Sequence, residues 1–177
     1  MKEMYKQEVT QKVNVQEERT RKAMDKLIPD LFKSTLKKSN WTHPLCNVDY
    51  QFTASTKNMS KSYDLEVKEF DRVYEYIEDC IGGCGIKCEK FIRMKQFNEF
   101  QSENDCLLYM IVLNDAIVIY DIKKIDLNRC KWFMWKQKKT QFDDNSEIVE
   151  VPAFNIPLDQ AIYKEYFNKS KYYDERN

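Results

Sequence analysis

SYDLEVKEF, residues 62–70, alternates as a β-strand does. Leu65 and Val67 fall on one side, and Asp64, Glu66 and Lys68 fall on the other. The apolar side can join a core. The polar side lines up two acids and a base, although charged residues are poor strand formers. Such a row faces either water on a half-exposed sheet or a cleft with chemistry in it.

The neighbouring segments set the frame around this strand. Upstream, LCNVDYQFTAS (45–55) places Val48, Tyr50 and Phe52 on one face and Asn47, Asp49 and Gln51 on the other. It predicts a partner strand, joined to SYDLEVKEF through the polar TKNMSK (56–61) as a hairpin with a long loop. Before it, Val13, Thr20, Met24, Leu27, Ile28 and Leu31 recur at helical spacing. Pro29 is expected to bend or end that helix, DLFKSTLKK (30–38) to add a second helical piece, and SNWTHP (39–44) to form a loop.

Downstream, DRVYEYIEDC (71–80) predicts a short amphipathic helix stopped by Gly82-Gly83. IKCEKFIRMKQFNEF (86–100) predicts another, with Phe91, Met94 and Phe97 inward. LLYMIVLNDAIVIYDI (107–122) is the clearest hairpin, turning at Asn114-Asp115. Its strands are apolar on both faces and so belong inside a sheet. KWFMWKQ (131–137) and SEIVEVPAF (146–154) predict two later strands. PLDQAIYKEYF predicts a closing helix over 157–168, with Pro157 near its first turn. The order predicts an α/β or α+β fold, with a central mixed sheet flanked by helices in one domain over residues 1–177.

The chain has 177 residues, of which 42% are hydrophobic, enough for a sizeable core without disulfides. Its longest apolar runs fall far short of the roughly 20 residues a spanning helix needs. The first residues lack the apolar core of a signal peptide, so a cytoplasmic location and reduced cysteines are expected. Cys80, Cys84 and Cys88 recur at four-residue intervals but lack the paired elements of a structural zinc site. His43 sits in a loop. Lysines and arginines balance the acids overall, which argues against general nucleic-acid affinity. Locally, 1–39 and 121–140 are basic, whereas 40–120 and 141–177 are acidic. That layout suits an anionic polymer held around a cation-binding centre.

If the first hairpin pairs antiparallel, Asp49, Glu66 and Lys68 converge at one end of a sheet. Magnesium takes oxygen ligands, commonly one or two protein carboxylates plus waters. Asp49 and Glu66 could supply these, with the Val67 backbone carbonyl as a third ligand. Lys68 could hold a metal-activated water or neutralise developing charge. Glu17 falls on the apolar stripe of the first helix, where a buried carboxylate needs a partner. Lys136, Lys138 and Lys139, in KWFMWKQKKTQF, are candidate phosphate contacts. Single-stranded nucleic acid can be held by such interleaved rings and lysines. Phe133 and Trp135, however, are expected to pack the core.

A helix with an inward Glu, then Asp49, a gap of sixteen residues, then EVK (66–68) on an alternating strand followed by a helix, resembles the core of the PD-(D/E)xK nuclease superfamily. KCEKFIRMKQFNEFQSENDCLLYMIVLNDAIVIYDIKKID (87–126) also resembles small phage and bacterial members. The resemblance covers roughly residues 13–152 and implies the restriction-endonuclease-like fold. It implies that Asp49 and Glu66 bind Mg2+ or Mn2+, that Lys68 assists the attacking water, and that Glu17 joins them. The Pro that precedes the Asp in the family is Val48 here. The function implied is a metal-dependent endonuclease acting on nucleic acid, DNA foremost, and leaving a 5′-phosphate. The alternative is the same fold without turnover, binding nucleic acid or a protein partner. No membrane partner is expected, and assembly as a homodimer is left open.

Overall fold

The computed structural model of the chain describes residues 18–32, 35–41, 48–55, 57, 60–102, 104–138 and 146–173. Helix α1 spans residues 18–32. Three strands follow as an antiparallel meander: β1 (Thr35–Trp41), β2 (Tyr50–Ser55) and β3 (Ser60–Glu69). A short helix, α2 (Tyr74–Tyr76), runs on as a π turn over Ile77–Ile81. Then come β4 (Gly83–Lys87) and α3 (Cys88–Phe100). The chain returns so that β5 (Cys106–Val112) lies parallel to β3, and β6 (Ala116–Asp121) pairs antiparallel with β5.

The central sheet has the order β1-β2-β3-β5-β6-β9, with β9 (Tyr163–Tyr166) on its outer edge. Only the β3–β5 pair in it is parallel. A second sheet of three strands pairs β4 with β8 (Ile148–Pro157), and β8 with β7 (Lys131–Lys138). The architecture is therefore α+β around a central mixed sheet. No helix among the described residues is long and apolar enough to cross a membrane.

Strand alternation sorts the core into two layers. Leu65, Leu108, Met110, Val112, Ile117 and Ile119 face α1, meeting Ala23, Met24, Leu27 and Ile28. Leu107, Tyr109, Ile111, Val118 and Tyr120 face the other way, onto Phe91 and Met94 of α3 and Cys84, Ile86, Phe154 and Ile156 of the second sheet. Adjacent residues of β5 thus bury into opposite layers, as its unbroken apolar run predicts. Each large aliphatic side chain fully buried here contributes about 1.5–3 kcal/mol.

The glycine pair after the π turn has two separate jobs. Gly82 adopts a left-handed φ of 73° and ends the turn. Gly83 lies so close to β8 that a Cβ there would stand 2.3 Å from the Ile156 carbonyl oxygen. Only a residue without a side chain lets β4 pair at that point.

Three expectations are corrected. Helix α1 carries Pro29 within its last turn and runs to residue 32, and Thr35–Trp41 is strand rather than a second helical piece and loop. Ile86 and Lys87, read as the start of the helix over 86–100, belong instead to β4, and α3 begins at Cys88. Residues 157–168 form no closing helix: β8 ends at Pro157, a single 3-10 turn covers Leu158–Gln160, and Tyr163–Tyr166 is β9. The open edge of β6 offers that segment ladder partners from Ala116 to Ile119. Its aromatic residues suit a strand, so tertiary pairing overrides the helical spacing.

Candidate functional site

The polar row of β3 turns towards the α3 layer, with exposure rising along the strand. Asp64 is 0% exposed, Glu66 9%, and Lys68 is exposed. It faces neither open water nor a uniformly wet cleft. Asp64 sits at the closed end, where Gln51 Nε2 and Asn104 Nδ2 each donate to its Oδ1 at 2.7 Å. Asn98 Nδ2, from the buried side of α3, donates to its Oδ2 at 2.7 Å. Three amides therefore hold a carboxylate that would be very costly to bury alone.

Asp49 stands where β2 begins. The chain bends at Val48–Asp49, so Val48 packs into the α3 layer while Tyr50 and Phe52 pack towards α1. Val48 and Tyr50 thus do not share the face that simple alternation assigns them. The bend lets Asp49 grip β3 twice: its N–H donates to the Leu65 carbonyl at 2.9 Å, and its Oδ2 accepts from Val67 N at 2.9 Å. In an extended strand the N–H and C=O of one residue point to the same edge. The Val67 carbonyl therefore also lies on the Asp49 side, past the last β2–β3 pair at Tyr50–Leu65.

Glu66 is the perturbed group. Burial, and then the neighbouring Asp49 charge, push its carboxyl up to about 8. The Lys90 ammonium from α3 opposes both effects, with Nζ 2.7 Å from Glu66 Oε2. The approach is poorly directed, and this buried oxygen has no well-formed hydrogen bond. Tyr109, opposite Glu66 in the β3–β5 register, is fully buried and donates from its hydroxyl to the Gly85 carbonyl at 3.1 Å. Burial, followed by the Glu66 charge, holds its phenol well above the usual range. Lys68 lies one strand step beyond Glu66 on the same face. Burial lowers the Lys87 ammonium, and the positive charge of Lys68 lowers it further.

The site thus joins two carboxylates to three lysines. Asp49 lies beside Glu66, and Lys68 follows Glu66 by one strand step on the same face. Lys87 and Lys90 escaped the sequence reading. The available signal was their position at the start of α3, beside the inward stripe of Phe91, Met94 and Asn98. Thr20 Oγ1 donates to Glu69 Oε1 at 3.1 Å, so the first described turn of α1 lies at the Lys68 end of β3. Glu17 itself lies outside the described residues.

An ion such as magnesium, which keeps several waters, could take Asp49, Glu66 and the Val67 carbonyl as oxygen donors. Two facing acids, one with a buried and poorly satisfied oxygen, are the arrangement a cation relieves. Among the described residues, no group of three or more His, Cys, Asp or Glu gathers that could hold a metal ion.

The β7–β8 hairpin departs from expectation. Phe133 is 36% exposed, and Trp135 is half-buried against Phe70 rather than in either core layer. Along β7 only Trp135 and Gln137 are partly buried, so no other layer closes over either of its faces. Lys136 and Lys138 are exposed, Lys136 lying 3.6 Å from Glu150, and Lys139 is outside the described residues. No protein-family model, curated protein or solved structure matches this chain.

Proposed function

We propose that the chain is a metal-dependent phosphodiesterase acting on nucleic acid, DNA foremost, built on a restriction-endonuclease-like core. The observation that carries this reading is the junction of β2 and β3. There the Asp49 carboxylate is anchored on Val67 N, Glu66 stands beside it, and Lys68 follows one step on. The succession of α1, the β1–β3 meander, α3 and a β5 strand parallel to β3 supports the fold assignment.

Asp49, Glu66 and the Val67 carbonyl would hold Mg2+ or Mn2+, with Glu17 as a further candidate. The bound ion would supply an acidified water and charge stabilisation at the phosphoryl oxygen. Lys68, at the exposed mouth, orients the water or neutralises charge as the phosphodiester opens. Lys90 sets the position and charge of Glu66, and Lys87 adds attraction for the phosphate backbone. Hydrolysis by in-line attack leaves a 5′-phosphate.

A second reading is a binding module of the same fold without turnover. It is favoured by Lys90, whose ammonium already gives Glu66 part of the compensation that a cation would. Incubating labelled DNA with the protein and Mg2+ or Mn2+ separates the two. The enzyme reading expects cleavage that chelator, Asp49→Ala and Glu66→Ala each abolish. Retention on a gel with no product in either metal, unchanged by Glu66→Ala, refutes it.

A further inference from the structure

We propose that the face of the second sheet carrying Phe133 and Trp135 extends the site as a stacking platform for unpaired bases, making single-stranded nucleic acid its substrate; this rests on the phosphodiesterase reading. Along β7, Lys131, Phe133, Trp135 and Gln137 share one face, and Trp132, Met134, Lys136 and Lys138 share the other. Through the β8 register, the Phe133 face is also that of Gly85 and Lys87 on β4.

This face meets the Lys68 end of β3. Phe70 follows Lys68 by one strand step, and the Trp135 ring stacks on it with centroids 6.4 Å apart and planes at 20°. Phe133 continues the row, its ring 6.0 Å from Trp135. Gly85 makes room for it: a Cβ there would stand 3.1 Å from the Trp135 ring. The row therefore runs from Lys68 through Phe70 and Trp135 to Phe133, with Lys87 and Lys131 along its border.

The chemistry of the row selects its occupant. Phe133 is 36% exposed and Trp135 stays half-buried on Phe70; rings so presented on an edge strand favour association and are normally covered or charged. Here they are bordered by ammonium groups at the entrance to a proposed phosphodiester site. Aromatic faces bind unpaired bases, and lysines bind the accompanying phosphates. In a duplex the bases are already stacked on each other, so only the lysines would gain. The charge complementarity therefore favours a single strand over a second protein.

The test is binding of a fluorescein-labelled oligothymidine strand, and of a duplex, to the full chain in EDTA. Anisotropy and tryptophan quenching are the readouts. We expect Phe133→Ala and Trp135→Ala each to weaken single-strand binding by roughly 5- to 100-fold. Duplex binding and the salt dependence should change little, because no charge is removed. Phe133→Tyr and Trp135→Phe should restore binding, which separates stacking from misfolding.

Wild-type affinity of both alanine variants for the single strand overturns the proposal, as does an equal loss for strand and duplex. So does a wild-type dimer that the same two substitutions dissociate, since the rings would then serve a second copy. Ring-dependent binding without cleavage in any divalent metal overturns the enzymatic reading alone.

Discussion

Replacing Glu66 by glutamine should flatten the pH dependence of stability in the metal-free protein. The folded carboxyl titrates at about 8, whereas its ordinary value is 4.5. Between these values the folded chain keeps a proton that the unfolded chain has lost. Stability from this group is therefore greatest at and below the unfolded value, falls as pH rises through the window, and levels off above the folded value. Each unit within the window corresponds to about 1.4 kcal/mol. Between pH 6 and pH 8 the wild type should lose about 2 kcal/mol through Glu66 alone, the curve flattening as the folded value is reached. Glutamine keeps the shape and cannot ionise, so the difference between wild type and Glu66→Gln isolates the effect. Urea unfolding in EDTA at several pH values measures it. Parallel stability curves for the two proteins would refute the claim that burial beside Asp49 governs this carboxyl.

Two further outcomes follow from the packing. Asp64→Ala removes the acceptor shared by Gln51, Asn98 and Asn104 and should cost about 3 kcal/mol by denaturant unfolding; a loss under about 1 kcal/mol would mean that these amides find other partners. Gly83→Ala should destabilise more than Gly82→Ala, because its Cβ meets the Ile156 carbonyl whereas Gly82 meets nothing and carries only a left-handed φ costing about 1 kcal/mol. Comparison of melting temperatures checks that order, and the reverse order would place the tight contact elsewhere.

Much of the fold was legible locally. The β5–β6 hairpin could be read because its apolar run, its Asn114-Asp115 turn and its length all agree. Helix α3 could be read because Phe91 and Met94 recur at helical spacing. That Asp64, Glu66 and Lys68 share one face of β3 was legible because period-two alternation fixes the faces of a strand wherever its neighbour pairs. The segment 157–168 was misread because its helical spacing is weaker than the hydrogen bonds offered by the open edge of β6. Strand β4 was hidden because glycines carry no pattern, and its reason for being a strand lies on β8.

The sequence by itself determined which residues alternate, which recur at helical spacing, and hence which side of β3 carries acid and base. Those are properties of neighbours within a few residues, fixed by backbone geometry. Only the tertiary structure decided that Lys90 reaches Glu66, that Asp64 is closed in by amides from β2, α3 and the connection before β5, and that Trp135 lies on Phe70. Each depends on residues far apart in the chain meeting through the sheet order, and burial, which sets the charge of Glu66, exists only once those layers have closed.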